Sequence, residues 1–106
     1  MVALSLDITS DGPSRITIAV SGEVDMASAP QLDDCLNSYA NEDITVDLKD
    51  CGFLDSSGLG TLIRAYKLTR SEGHTLRTVN EPDHILKVLE IAGLANMFHG
   101  EGPAEP

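Results

Sequence analysis

At 106 residues the chain is long enough for one domain with a single hydrophobic core, and its 42% apolar content is typical of a globular fold. The 17 acidic residues against 7 basic ones give a formal charge of -10, which repels nucleic acid and anionic membranes and favours protein partners. The sequence has neither a basic, apolar export signal at its start nor the roughly 20 apolar residues of a membrane span, so we expect a cytoplasmic protein.

A hairpin and a helix are predicted at the start of the chain. Apolar and polar residues alternate over residues 4–8 and 16–20, which is the pattern of strands with one buried face. The Asp-Gly-Pro-Ser sequence at residues 11–14 favours a turn, so the two strands are predicted to pair antiparallel. Residues 28–31 combine a capping serine, a first-turn proline and a glutamine, as at a helix start. The apolar face of this helix carries Leu32, Cys35, Leu36 and Tyr39.

Strands and helices alternate in the second half of the chain. Residues 44–48 and 75–79 predict two further strands, and each is followed by an amphipathic helix that ends at a glycine, Gly73 or Gly93. The apolar stripes of these helices are formed by Leu59, Leu62, Ile63 and Tyr66 and by Ile85, Val88 and Leu89. This order is typical of right-handed β-α-β units with a parallel sheet, so the predicted fold class is mixed α/β.

The end of the chain is predicted to lie outside the regular core. Met97 and Phe98 are interpreted as a last short strand or turn. Residues 100–106 have no apolar residue larger than alanine and include two glutamates, so we expect a flexible acidic tail. The predicted domain therefore spans residues 1–99.

The junction after the third strand carries the clearest functional signal. The sequence Asp55-Ser56-Ser57-Gly58-Leu59 places a carboxylate and two hydroxyls where an apolar strand leads into a helix. A helix start exposes N–H groups with a partial positive charge, so a serine there can be displayed to a partner and can accept a phosphate. The simpler alternative is that these residues only cap the helix, because Asp and Ser are common caps. Local chemistry leaves both interpretations open.

The sequence gives little support for an enzyme active site or a metal site. A hydrolase nucleophile needs glycine two residues before and after the serine, which neither Ser56 nor Ser57 has. A phosphate-binding loop needs a lysine within the turn, and residues 58–61 have none. The histidines and cysteines show no metal-ligand spacing. The histidines are predicted to be solvated or locally bonded, and the cysteines to be buried, reduced thiols: His74, His84, His99, Cys35 and Cys51. We therefore predict no enzyme activity, no metal and no cofactor.

Asp25 is a second candidate for the same surface. If the second and third strands are parallel, the loops that follow them leave the sheet at one end, which would bring Asp25 near Ser56. The alternative is a turn carboxylate that binds nearby N–H groups. A phosphate on Ser56 is expected to lack a local counter-ion, because the nearest basic residue in sequence, Lys49, should point off its strand.

Several segments occur in a recognisable order. Gly22-Glu23-Val24-Asp25 precedes Val46-Asp47-Leu48 and the stretch from Phe53 to Gly60, and the sequence at residues 88–94 follows. These segments resemble the STAS domain and, within it, the single-domain anti-sigma factor antagonists of bacteria. The resemblance extends over nearly the whole chain, up to about Phe98. It implies a mixed sheet of four to five strands backed by about four helices.

The resemblance also implies a phosphorylation switch. The family's acceptor is the first hydroxyl after the aspartate, which falls on Ser56. The partner would be an anti-sigma factor that is itself a serine kinase with a histidine-kinase-like ATPase fold, and a serine phosphatase would reset the switch. The unphosphorylated form would bind the anti-sigma factor and free the sigma factor, and the phosphorylated form would let go. The implied partner-binding residues are Asp25, Asp55, Ser56, Ser57, Gly58 and Leu59.

A different function stays open for the same fold. The chain could be a STAS adapter subunit in a transport or signalling assembly, in which Ser56 and Ser57 only cap the helix. Such an adapter would keep its partner whatever the charge at Ser56. In either case we expect a monomer, because no apolar face in the sequence suggests an obligate dimer.

Overall fold

The computed structural model describes residues 2–100. Four strands and four helices follow one another along this part of the chain: β1 (Ser5–Gly12), β2 (Arg15–Val24), α1 (Ala29–Ser38), β3 (Asp43–Leu54), α2 (Ser56–Ser71), β4 (Leu76–Val79), α3 (Asp83–Ile91) and α4 (Ala95–His99). None of the helices in this part is long and apolar enough to cross a membrane. The predicted acidic tail falls almost wholly on residues 101–106, outside the described residues.

The sheet has the predicted mixed topology. Its strand order is β1-β2-β3-β4. β1 and β2 pair antiparallel, whereas β2 with β3 and β3 with β4 pair parallel, each parallel connection running through a helix. The turn between β1 and β2 uses the left-handed region at Ser14, with a φ of 60°. The prediction of an antiparallel hairpin followed by parallel β-α-β units is confirmed.

The core lies where the period-two pattern places it. In β2 every second residue is buried, including Ile16, Ile18 and Val20, while the residues between them are partly exposed. Leu36 of α1 and Leu62 of α2 are fully buried in the same cluster. One face of the sheet therefore packs against the helices, and this packing fixes the positions at which α1 and α2 begin.

Met97 and Phe98 form neither a strand nor a simple turn, so that prediction is wrong. They belong to α4, where the N–H of Phe98 donates to the carbonyl of Leu94 at 3.0 Å. The spacing of four between Leu94 and Phe98 puts both side chains on the side of the core in a single helical turn. The Phe98 ring packs edge-on against Tyr66 of α2, with centroids 5.9 Å apart and planes at 86°.

Candidate functional site

The loops after β2 and β3 leave the sheet side by side. Val24 and Leu54 are register partners at the ends of the two parallel strands. The next residue, Asp55, donates its N–H to the carbonyl of Val24 at 3.1 Å. The turn that begins at Asp25 and the helix that begins at Ser56 therefore start at the same edge of the sheet, as the parallel arrangement predicts.

Asp55, rather than either serine, caps α2. Its backbone is extended, with φ -97° and ψ -171°, and its Oδ1 accepts from the N–H groups of Ser57 at 2.8 Å and Gly58 at 3.1 Å. Ser56 is the first residue of the helix and is exposed. Within residues 2–100 the hydroxyls of Ser56 and Ser57 have no hydrogen-bond partner. The capping need is thus met by the carboxylate, which leaves both hydroxyls available.

The cap predicts a measurable loss of stability. Asp55→Ala should lower the free energy of unfolding by about 1 kcal/mol, because two first-turn N–H groups lose their acceptor. Asp50→Ala is the matched control, since Asp50 is an exposed aspartate on β3, and it should change stability by less than about 0.5 kcal/mol. Urea denaturation measures both variants. Equal midpoints for the two would contradict the assigned cap.

Asp25 ties down the turn between β2 and α1. Its Oδ1 accepts from the N–H groups of Ala27 and Ser28, both at 3.0 Å, and lies 3.1 Å from the Ser28 hydroxyl. Hydrogen bonds from the backbone and hydroxyl of Ser28 hold the pKa of Asp25 below its usual value. Asp25 lines a different groove from Ser56. The Asp25 carboxylate thus stabilises the turn, and its role in partner binding stays a prediction.

A shallow groove between α1 and α2 surrounds Ser56. Met26, which is 78% exposed, lies at one side of it, and the buried Thr61 also lines it. The buried Thr61 hydroxyl lies 3.1 Å from the carbonyl of Ser57 and accepts from Arg64 at 3.2 Å. The acceptor candidate therefore sits in a concave surface with an exposed apolar side chain beside it.

Gly58 and Leu59 lie mainly beneath this surface and support it. Gly58 is buried, and a Cβ built on it would lie 2.4 Å from Leu54 Cδ1 and 2.9 Å from Val24 Cγ1. Glycine at this position lets α2 begin directly against the ends of β2 and β3. Leu59 is half-buried and packs against the core. Of the six residues proposed for partner binding, Ser56 is the most openly displayed.

A basic residue lies beside Ser56, contrary to the expectation that a phosphate there has no counter-ion nearby. Arg64 lines the same groove, and its Nη2 is 3.6 Å from Oδ1 of Asp33 on α1. Lys49, the nearest basic residue in sequence, is exposed on β3 and does not line this groove. The missed signal is helical spacing, because Ser56 and Arg64 are eight residues apart and thus on one face of α2.

The histidines have local structural partners, and the cysteines form no disulfide. His74 Nδ1 lies 3.1 Å from Asp43 Oδ1, and the His84 and His99 rings contact the Gly52 carbonyl and Glu81. Both thiols are free. Cys51 is buried as predicted, whereas Cys35 is only partly buried, contrary to the prediction, and burial raises the pKa of each. The described part of the chain holds no group of three or more His, Cys, Asp or Glu side chains placed to bind a metal ion.

Comparison with known proteins assigns the family. A family model described as "Mlab, STAS domain" matches residues 9–99. The anti-sigma-B factor antagonist of Bacillus subtilis (strain 168) is 31% identical over 85 residues, which make up 78% of this chain and 78% of that protein. An anti-sigma factor antagonist from Mycobacterium paratuberculosis has a TM-score of 0.77 at 25% identity, over 91% of this chain and 83% of its own.

Bacillus SpoIIAA, an anti-sigma factor antagonist solved in an unphosphorylated and a phosphorylated form, shares the fold at 17% identity. The TM-score to its unphosphorylated form is 0.76, over 94% of this chain and 90% of that chain. The phosphorylated form gives 0.71 over 94% and 93%. The chain belongs to the STAS domain family and, within it, to the anti-sigma factor antagonists.

Proposed function

We propose that this chain is a protein-binding switch that captures an anti-sigma factor and releases it when Ser56 is phosphorylated. The unphosphorylated form binds the anti-sigma factor through the surface around the start of α2, and the sigma factor is thereby freed. The anti-sigma factor is the serine kinase, a serine phosphatase resets Ser56, and the exchange takes place in the cytoplasm. This chain supplies the hydroxyl, whereas the catalytic base and Mg-ATP come from the kinase.

The observation that supports this proposal most directly is that the Ser56 hydroxyl is free to be modified. It is exposed at the first residue of α2 and has no hydrogen-bond partner in the described part of the chain, because Asp55 already caps the helix. A serine that the fold does not need for capping can change its chemistry without breaking the helix. The relatives named anti-sigma-B factor antagonist support the choice of partner class.

Phosphorylation would alter binding far more than folding. A phosphate adds roughly -1.5 to -2 charges and three acceptor oxygens, and the positive end of α2 favours a negative group there. At a desolvated interface the same charge must be buried or repelled, at a cost of several kcal/mol. A loss of about 2.8 kcal/mol weakens binding about a hundredfold. The fold is therefore expected to survive a modification that ends the complex.

The test compares four proteins as baits in cells of the native host. Wild type and Ser56→Ala should retain an anti-sigma factor with an ATPase-type kinase domain, whereas Ser56→Glu should lose it by about a hundredfold. Ser10→Glu is the control, because Ser10 is an exposed serine on β1 that pairs with Ile16, at the sheet end remote from Ser56. It adds the same charge and should bind as wild type.

Phosphopeptide mapping of the protein from the same cells completes the test. Phosphate on Ser56 of the wild type is the expected finding. If Ser56 carries no phosphate under any growth condition and all four baits keep one partner, the switch is wrong. The adapter function, in which STAS subunits hold an assembly together irrespective of Ser56, would then replace it.

A further inference from the structure

Arg64 is directed back along α2 toward Ser56. Ser56, Gly60 and Arg64 are spaced by four residues, so they follow one face of the helix, and long side chains in helices lean toward the N-terminus. Gly60 has no side chain between the other two. A Cβ built there would lie 3.4 Å from Arg64 Nη1, so the guanidinium rests over the glycine.

The Arg64 guanidinium lies about one helical turn from Ser56. Its Nη2 donates to the Thr61 hydroxyl at 3.2 Å, which holds it at the level of residues 60 and 61. The rise from Gly60 back to Ser56 is about 6 Å. The side chain at position 56 also leans toward the N-terminus of α2, so a change of arginine rotamer is needed to bring the guanidinium closer to a phosphate there.

The present partner of Arg64 holds it weakly. Asp33 Oδ1 is 3.6 Å from Nη2, beyond hydrogen-bond distance, and the Arg64 side chain is 64% exposed. Exposed ion pairs of this kind contribute between about 0 and 1 kcal/mol. A phosphate carries more charge than a carboxylate and offers a guanidinium paired oxygens. The phosphate would therefore bind the Arg64 guanidinium in preference to Asp33.

We propose that Arg64 is the counter-ion within this chain for a phosphate on Ser56, and that the phosphate takes it from Asp33. The inference rests on the proposed phosphorylation. Among the groove-lining residues that the structure describes, Asp33 and Arg64 carry the charges, and neighbouring Asp55 is engaged by the first-turn N–H groups of α2. When Arg64 turns to the phosphate, the negative charge of Asp33 on α1 is no longer neutralised. One modification on α2 thus makes both walls of the groove acidic.

This rearrangement has a consequence for the partner. Before phosphorylation the groove presents a neutralised Asp33–Arg64 pair next to the exposed Met26 side chain, which suits a protein surface of low charge. Afterwards an acidic α1 and a partly neutralised phosphate face the same partner. Release would then depend on Asp33 as well as on the phosphate.

The test measures the second ionisation of the phosphate directly. Phosphoserine is installed at position 56 during translation, so no kinase is needed, and the phosphate is titrated by ³¹P NMR. Arg64→Gln should raise the phosphate pKa by about 0.5 unit, since an exposed cation nearby favours the dianion. Arg64→Lys should restore most of the shift. Arg77→Gln is the control, because Arg77 is exposed on β4 and pairs with Thr45, at the opposite end of β3 from Ser56.

Competition with Asp33 is tested in the same titration. The effect of Arg64→Gln should be larger in an Asp33→Asn background, where the arginine is no longer shared. An equal effect in both backgrounds would overturn the exchange with Asp33. If Arg64→Gln, Arg77→Gln and the parent protein all titrate alike, Arg64 is not the counter-ion. Because the phosphate is installed artificially, these outcomes do not depend on whether Ser56→Glu releases a partner, so failure here is distinct from failure of the switch.

Discussion

Gly22→Ala is expected to lower the free energy of unfolding by about 2 to 5 kcal/mol, since it combines backbone strain with overpacking. Gly22 has a φ of +96°, which L residues rarely adopt, and a Cβ built on it would lie 2.2 Å from the carbonyl oxygen of Ala3. The Ala3 carbonyl carbon would be at 2.9 Å. These are backbone atoms, so no side-chain rotation relieves the clash. Either β2 shifts or residues 2–4 are pushed away from it.

The matched control is Gly52→Ala in β3. A Cβ there would meet nothing closer than the Gly22 carbonyl oxygen at 3.8 Å, an ordinary contact, and its φ is not in the left-handed region. Its stability should change by less than about 1 kcal/mol in either direction. Urea denaturation compares the two variants, and hydrogen exchange follows the Glu23 amide, which donates to the Val2 carbonyl at 3.3 Å. An unchanged midpoint with a protected Glu23 amide would show that the close approach at Gly22 is tolerated.

Much of the fold could be predicted because the patterns that carry it are local. The alternation over residues 16–20 places Ile16, Ile18 and Val20 on the buried face of β2. The order of strands and helices then predicts parallel pairing of β2 with β3, and this pairing alone brings the Asp25 turn and the Ser56 helix start to one edge. The start of α2 could likewise be located from residue types, since a carboxylate before a helix is a common cap.

The remaining details depend on tertiary contacts that sequence patterns do not contain. α4 is only five residues long, and a helix of that length forms because Phe98 is held in the core rather than through propensity. The pairing of Asp33 with Arg64 depends on how α1 packs against α2. Which oxygen caps α2 depends on side-chain conformation, and the structure assigns it to Asp55. The place of Arg64 in the groove beside Ser56 is different, because the two residues belong to one helix and their spacing of eight along α2 can be read from the sequence.

Phe98→Ala is expected to lower the free energy of unfolding by about 3 to 5 kcal/mol, the usual cost of removing a buried ring. Phe98 is 0% exposed and is the largest of the fully buried side chains. Its ring contacts Tyr66, so its loss removes both packing area and an edge-to-face pair. The other core contacts of α4 come from the partly buried Ala95 and Met97, so without Phe98 the helix should unfold locally before the rest of the domain. Thermal or urea denaturation gives the stability, and amide exchange over residues 95–99 reports on α4.

Phe53→Ala is the control of the same residue type. Phe53 lies on β3 next to the Ser56 junction and is 47% exposed, so its removal should cost about 1 kcal/mol or less. Comparing the two variants separates an effect on the free energy of unfolding from an effect on partner binding. Phe98→Ala should capture the partner normally at temperatures where it is folded, because α4 contributes nothing to the groove around Ser56. Equal destabilisation by both variants would contradict the assignment of Phe98 to the core, and loss of partner capture by folded Phe98→Ala would contradict the placement of the binding surface at the start of α2.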